Sequence, residues 1–251
     1  MDPADFYTGI VVDAYTRLRS ARFDPRLSAD FVARRGQPAL EIGCGDGDPL
    51  LELVAAGLDV QGVDSSLDMV ERCRENAKAR GLVVTVHHQR MEDLRLPGRY
   101  ASVYLAGPTF DLLADDATAL RALRAIGAHL APGGAALVPL WVPGPTPATE
   151  LGVTRSAVDD VGTELRFTPL SETYDAVGRT RVTRCRYERV PAGGSAAEVA
   201  DREWVLHWHT PGGFGELSEQ AGLDVVALVD DDTGEPAAPT ATSFTAELTR
   251  R

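Results

Sequence analysis

The run Glu41-Ile42-Gly43-Cys44-Gly45-Asp46-Gly47-Asp48 follows apolar Ala39 and Leu40 and leads into Pro49-Leu50-Leu51. Apolar residues entering alternating glycines describe a buried strand that ends in a sharp turn, because glycine takes left-handed backbone angles and lets a ligand approach with no Cβ in the way. Asp48 suits the N-cap of a following helix and Pro49 its first position. Downstream, Val60-Gln61-Gly62-Val63-Asp64 reads as a second strand that ends in an acid. Strand, glycine turn, helix and acid-terminated strand form the first βαβ unit of a nucleotide-binding sheet, which commits the chain to an α/β fold.

The spelling of the loop bears on which nucleotide. A dinucleotide fingerprint, G-x-G-x-x-G, keeps acids away from a pyrophosphate that sits on the helix N-terminus. Here the third glycine comes one residue early, Asp48 stands where a glycine belongs, and Glu41, Asp46 and Asp48 would repel an anion. A ligand with an α-ammonium and a sulfonium suits these charges better. At this point the chain resembles the class I S-adenosylmethionine-dependent methyltransferases, whose first motif is an acid followed by G-x-G-x-G. Two further stretches carry the resemblance: Asp64 at the end of the second strand, and Leu130-Ala131-Pro132-Gly133-Gly134 ahead of the fifth.

The resemblance implies S-adenosylmethionine as the cofactor. It implies that Glu41, Gly43, Gly45 and Gly47 hold the methionine end, and that Asp64, beside Ser65, accepts hydrogen bonds from the ribose. After the third strand the family usually has Gly-Asp-x-x-x-Leu, whereas this chain has Gln89-Arg90-Met91-Glu92-Asp93-Leu94. Arg90 replaces the usual acid, so Met91 is expected against the adenine, with Glu92 or Asp93 as its polar contact. Similar small-molecule enzymes close an N-terminal helix over the methionine with a tyrosine, a place that Tyr7 and Tyr15 suit; plain amphipathic packing is the alternative.

Composition narrows the acceptor. With 25 Lys and Arg against 37 Asp and Glu the net charge is −12, which argues against a nucleic-acid partner, since phosphate binding draws on a basic face. Cys44, Cys73 and Cys185 are an odd number without metal-ligand spacing, so neither a disulfide framework nor a metal site is expected. No basic leader with an apolar core begins the chain and no run nears a membrane span, so a cytoplasmic, membrane-free protein is expected. Oligomeric state is not legible, and a homodimer is allowed.

Strand and helix patterns alternate as far as Trp141, which predicts a Rossmann-like, doubly wound, mostly parallel sheet covered on both faces. Helices are expected over residues 7–18, 28–35, 65–80 and 114–130, and strands over 39–42, 60–64, 83–88, 100–106 and 135–141. β-rich runs at 164–167, 181–190 and 202–208 then predict an antiparallel insertion after strand five. A helix at 211–221 and strands at 225–229 and 244–248 complete seven strands. The expected organisation is a helical lid over 1–29, a cofactor-binding core over 30–142 and 210–251, and a substrate-binding insertion over 143–209.

In-line methyl transfer needs alignment above all, and a base only where the acceptor carries a proton that must leave. His207 and His209 lie two apart, so in a strand they share a face, and they are the candidate bases or anion-binding groups; hydrogen-bonded structural histidines are the alternative. Trp141 and the stretch Gly107-Pro108-Thr109-Phe110-Asp111, Phe110 above all, stand where the family places acceptor contacts, and Arg184 shares a strand face with Arg186 and could bind an acidic group on the acceptor. The activity implied is N- or O-methylation of a small molecule, a secondary metabolite or nucleotide-linked sugar among them. A nicotinamide-dependent oxidoreductase, a non-catalytic S-adenosylmethionine-binding protein and a macromolecular methyltransferase are the rival readings.

Overall fold

The structure, a computed structural model, describes residues 6–19, 23–193 and 196–251. The chain runs through helices α1 (Ile10–Leu18) and α2 (Pro25–Arg35), then β1 (Ala39–Ile42), α3 (Leu50–Ala55), β2 (Val60–Asp64), α4 (Leu67–Ala79) and β3 (Val86–His88). It continues through β4 (Tyr100–Tyr104), α5 (Asp116–His129) and β5 (Leu130–Trp141). Four strands follow, β6 (Arg155–Val158), β7 (Glu164–Asp175), β8 (Thr180–Val190) and β9 (Glu198–His207). Then come α6 (Pro211–Gln220), β10 (Leu223–Asp230) and β11 (Ser243–Arg250).

Seven strands form one sheet in the order β10-β11-β5-β4-β1-β2-β3. β1 pairs in parallel with both β2 and β4, so successive crossovers leave β1 in opposite directions. A ligand crevice belongs at that switch, beyond the carboxyl ends of the strands. Only β11 is antiparallel to its neighbours β5 and β10. Both faces are covered, as the unbroken burial of β1 requires. Leu40, Ile42 and Val103 pack with α5 and α6 on one side, through Leu123, Ile126, Phe214 and Leu217. Ala39 and Val60 pack on the other, with Phe31, Leu50, Leu53 and Val70 of α2, α3 and α4.

The remaining strands make a separate antiparallel sheet, β6-β7-β8-β9, between β5 and α6. Its inner face is closed by α1, where Phe6, Ile10, Val11 and Ala14 meet Cys185 and Tyr187. The insertion was expected from three short runs and has four strands. β6 escapes a pattern reading because its residues are mostly exposed and show no apolar alternation. β7 continues past Phe167 because Pro169 sits at a register shift, where a missing ladder N–H is tolerated.

Boundaries elsewhere move for local reasons. α1 starts at Ile10 because Gly9, at φ +57°, turns the chain and gives its N–H to Asp68 Oδ2 at 2.7 Å. α4 is capped by Ser66, whose Oγ accepts the Met69 N–H, while Asp64 holds the Ser66 N–H. Pro49, not Asp48, is the N-cap of α3. β5 begins at Leu130, so Pro132-Gly133-Gly134 lies within the strand. A Cβ on Gly134 would come within 2.8 Å of Tyr100 O, so the β4–β5 contact there is backbone against backbone.

Candidate active site

β1 and β2 end side by side, and the loop after β1 is tied to them: the Gly43 and Cys44 N–H groups both donate to Val63 O, at 2.8 and 3.1 Å. The three glycines then have separate roles. Gly43, at φ +72°, passes so near the chain after β4 that a Cβ would lie 2.5 Å from Thr109 Cγ2. Gly47, at φ +99°, packs inward, where a Cβ would meet Leu51 Cγ at 2.8 Å and Cys73 Sγ at 3.0 Å. Gly45, at φ +51°, has nothing within 4 Å of a Cβ position and opens onto a cavity.

Asp64 faces the same cavity. Its Oδ2 accepts the Gly45 N–H and its Oδ1 the Ser66 N–H, both at 2.8 Å. Two of a carboxylate's roughly four acceptor sites are thereby used, which fixes its orientation and leaves the others for hydroxyls. Burial pushes the Asp64 carboxyl upward, and the Ser66 and Gly45 N–H groups draw it back.

The cavity is about 350 Å³, within the usual range for small-molecule sites. Gly43, Gly45, Asp64, Ser65 and Met69 form one wall and Met91 and Glu92 another. Thr109, next to Gly43, lines it as well, with Leu113, Thr118 and Arg121, and Tyr7 and Tyr15 cover the glycine loop. The two phenol rings meet edge to face at 5.5 Å. Burial raises both hydroxyl pKa values, each further raised by neighbouring negative charge, so the phenols stay protonated.

The covering segment is fastened at several points. Ser66 Oγ–H donates to Tyr7 O at 2.5 Å, Gly9 holds Asp68, Thr16 Oγ1–H donates to Asp46 Oδ2 at 2.5 Å, and Arg19 pairs with Asp48 at 2.5 Å. Arg19 is only 11% exposed and also lies 3.7 Å from Asp46. The loop acids therefore grip the N-terminal segment, and their charge is largely answered by Arg19 instead of facing a ligand. Removing one partner of a nearly buried ion pair is costly. We expect Arg19→Ala to free α1 from the loop, seen as faster amide exchange over Ile10–Leu18 than in β1 and as roughly tenfold weaker cofactor binding, about 1.4 kcal/mol.

Of the residues expected to hold cofactor, Tyr7, Tyr15, Gly43, Gly45, Asp64, Ser65, Met91 and Glu92 line this one cavity. Glu41 and Gly47 do not. Strand alternation sends Ile42 toward the cavity and Glu41 to the opposite face, where its Oε2 accepts the Tyr104 hydroxyl at 2.7 Å and burial holds its carboxyl far above the usual range.

The acceptor-side expectations fare differently. Phe110 is fully buried in the core against Phe214, ring to ring at 5.4 Å, and its neighbour Thr109 reaches the cavity instead. Trp141 gives its backbone N–H to Asp111 Oδ2 at 2.9 Å and carries the Arg181 guanidinium 4.9 Å over its ring, away from the cavity lining. Arg184 lies on the exposed face of β8, where it and Arg186 both bind Asp201 across the sheet, so its charge is already matched.

His207 and His209 are buried at the first turn of α5 and line no part of the cavity. Their Nε2 atoms lie 3.5 and 3.1 Å from Asp116 Oδ1. Burial pushes His209 down to about 4, with His207 and Arg179 acting in the same direction against Asp116. Neither ring is placed to take a proton from an acceptor in the cavity.

Residues that the pattern reading missed are Met69, Leu113, Thr118 and Arg121, whereas Thr109 belongs to the stretch expected to contact the acceptor. A signal for some of them was present. Thr118 and Arg121 follow the i, i+3 spacing of one face of α5, beside the more conspicuous core stripe of Leu123 and Ile126.

Residues 39–134 match the model of a methyltransferase domain. The chain is 27% identical over 204 residues to a cypemycin N-terminal methyltransferase of a Streptomyces species, covering 80% of this chain and 78% of that protein. It is 29% identical over 150 residues to a dTDP-3-amino-3,6-dideoxy-alpha-D-glucopyranose N,N-dimethyltransferase of Streptomyces fradiae, covering 56% and 57%. The fold is shared with an amino pentose methyltransferase from Micromonospora echinaspora solved with S-adenosylmethionine bound. That likeness has a TM-score of 0.65 at 22% identity, over 96% of this chain and 97% of the other.

Proposed function

We propose that this chain, a class I S-adenosylmethionine-dependent methyltransferase, methylates an amine nitrogen of a small molecule. The observation that carries the choice of nitrogen is the inventory of titratable groups around the cavity. Among the described residues its carboxyls are Asp64, committed to two backbone N–H groups, and Glu92 near Arg90; its phenols are held protonated; and no imidazole lines it.

S-adenosylmethionine, when bound, supplies a methyl group already activated by a cationic sulfur. The residues fit that group: Asp64 has acceptor sites free for ribose hydroxyls, and Gly45 leaves its side of the cavity open. A neutral amine has its lone pair available and loses its proton after transfer, whereas a hydroxyl must shed one as it reacts and needs a nearby base. Tyr7 and Tyr15 contribute by shielding the site from water and by presenting aromatic surface to positive charge, an interaction worth about 0.5–2 kcal/mol. The two curated relatives are named for nitrogen acceptors, a peptide N-terminus and an amino sugar, which supports the same reading. Within it, residues 143–209 select the acceptor, residues 6–19 of the expected lid close over the cofactor while 1–5 and 20–22 lie outside the described residues, and residues 30–142 with 210–251 bind it.

Release of S-adenosylhomocysteine from matched pairs of acceptors tests this. Amino sugars and small peptides with a free N-terminus should be methylated, with a rate that rises with pH toward the acceptor's own ammonium pKa. Hydroxyl counterparts should be inert. Hydroxyl compounds turned over within tenfold of the amines would overturn the choice of nitrogen and leave the methyltransferase assignment standing.

A further inference from the structure

We propose that His207, His209 and Asp116 form a binding site for a transition-metal dication of the zinc class, which joins the end of the second sheet to the first turn of α5. Cysteine spacing led to no expectation of a metal site; these ligands are instead two histidines and an aspartate 93 residues before His209.

The geometry suits such an ion. Asp116 Oδ1 lies 3.1 Å from His209 Nε2 and 3.5 Å from His207 Nε2, and one ligand atom from each of the three residues falls within 4.8 Å of the others. Tetrahedral coordination with bonds of about 2.0–2.1 Å separates donor atoms by roughly 3.3 Å, so two of the three edges already have that length. The third closes by small rotations of two rings that meet edge to face at 4.9 Å.

A second observation is how few partners the two buried rings have. Both histidines are buried, 4% and 1% exposed, and neither Nδ1 has a partner among the described residues. Both Nε2 atoms converge on the single oxygen Asp116 Oδ1. Two buried rings that share one carboxylate oxygen leave both Nε2 atoms and that oxygen free to take an ion in common, while the Nδ1 atoms lie on the far sides of the rings. A cation at the point of convergence takes both nitrogen lone pairs and the carboxylate oxygen together.

The surroundings fit a ligand set. Arg179 holds the other oxygen of Asp116 at 2.5 Å, which aims Oδ1 at the rings as an outer-shell partner does. The Asp116 side chain is 54% exposed, so an ion has an entry path and water can complete the coordination. Two imidazoles and one carboxylate favour zinc, cobalt or nickel over magnesium or calcium. The groups facing the site are Asp115, Asp116, Arg179 and the two histidines.

Binding is read directly and does not depend on which acceptor is methylated. Tag-free protein stripped with a chelator is titrated with Zn²⁺ by calorimetry, and with Co²⁺ by visible absorption, which reports tetrahedral coordination. One Zn²⁺ per chain, a tetrahedral Co²⁺ spectrum and a rise in melting temperature on Zn²⁺ addition are expected. Asp116→Asn, at a half-exposed position that the fold tolerates, should weaken Zn²⁺ at least tenfold and abolish the Co²⁺ spectrum, as should His207→Gln. His88→Gln, on the surface away from the cluster, should change neither. Zn²⁺ affinity unaltered by Asp116→Asn and His207→Gln, or no saturable Zn²⁺ binding to the wild-type protein, would overturn the proposal.

Discussion

Asp64→Ala should weaken S-adenosylmethionine binding by about 2–4 kcal/mol, roughly 30- to 1000-fold, in calorimetric titration. The loss exceeds that of one ligand contact because the carboxylate does two things at once. It offers charged acceptors to the ribose, and it satisfies the Gly45 and Ser66 N–H groups that shape the loop and start α4. Alanine removes the first and leaves two part-buried donors unpaired, each costing about 1–3 kcal/mol. Asp64→Asn keeps the volume but offers one oxygen for two N–H groups and turns an NH₂ toward the other, so it should recover less than half of the loss. Should both variants bind within threefold of wild type, Asp64 does not hold the ribose.

Gly43→Ala should destabilise the protein by about 3 kcal/mol in chemical denaturation and depress cofactor binding with it. Two costs combine: a non-glycine residue in the left-handed region loses about 1–2 kcal/mol, and φ at Gly43 is +72°. The new methyl would also lie 2.5 Å from Thr109 Cγ2, an overlap of the kind that costs about 1–3 kcal/mol. Thr109→Ala in the same chain should recover the second part only, leaving a coupling of about 1–2 kcal/mol in a double-mutant cycle. A Gly43→Ala protein within about 0.5 kcal/mol of wild type would mean the loop relaxes and the close approach to Thr109 is not required.

The sheet was legible because its signals are local. β1 and β2 have the bounds expected from their apolar runs, and the order of strands and helices as far as Trp141 follows from periodicity and turn residues. The insertion was less legible, since β6 is exposed and β7 runs through a proline. Gly45 and Asp64 could be assigned together because a strand-end acid and a glycine loop meet by topology. Phe110 and Thr109 could not be told apart that way: one side chain enters the core beside Phe214 and the other the cavity, according to the twist of a single turn.

The histidines mark the boundary most clearly. Spacing alone put His207 and His209 on one face and made them candidate bases, but β9 ends at His207 and both rings turn to Asp116. Glycine spacing, the loop acids, a strand-end acid and Leu130-x-Pro-Gly-Gly134 were enough for a resemblance that implies a sulfonium cofactor in an α/β sheet, because a few covalently adjacent groups dictate that loop's backbone. Only the packed chain decides that Tyr7 and Tyr15 cover the loop while Arg19 neutralises its acids, and that Glu41 faces away. Those contacts join segments far apart in sequence, and their partners are chosen by burial and by the pairing of charges that burial demands.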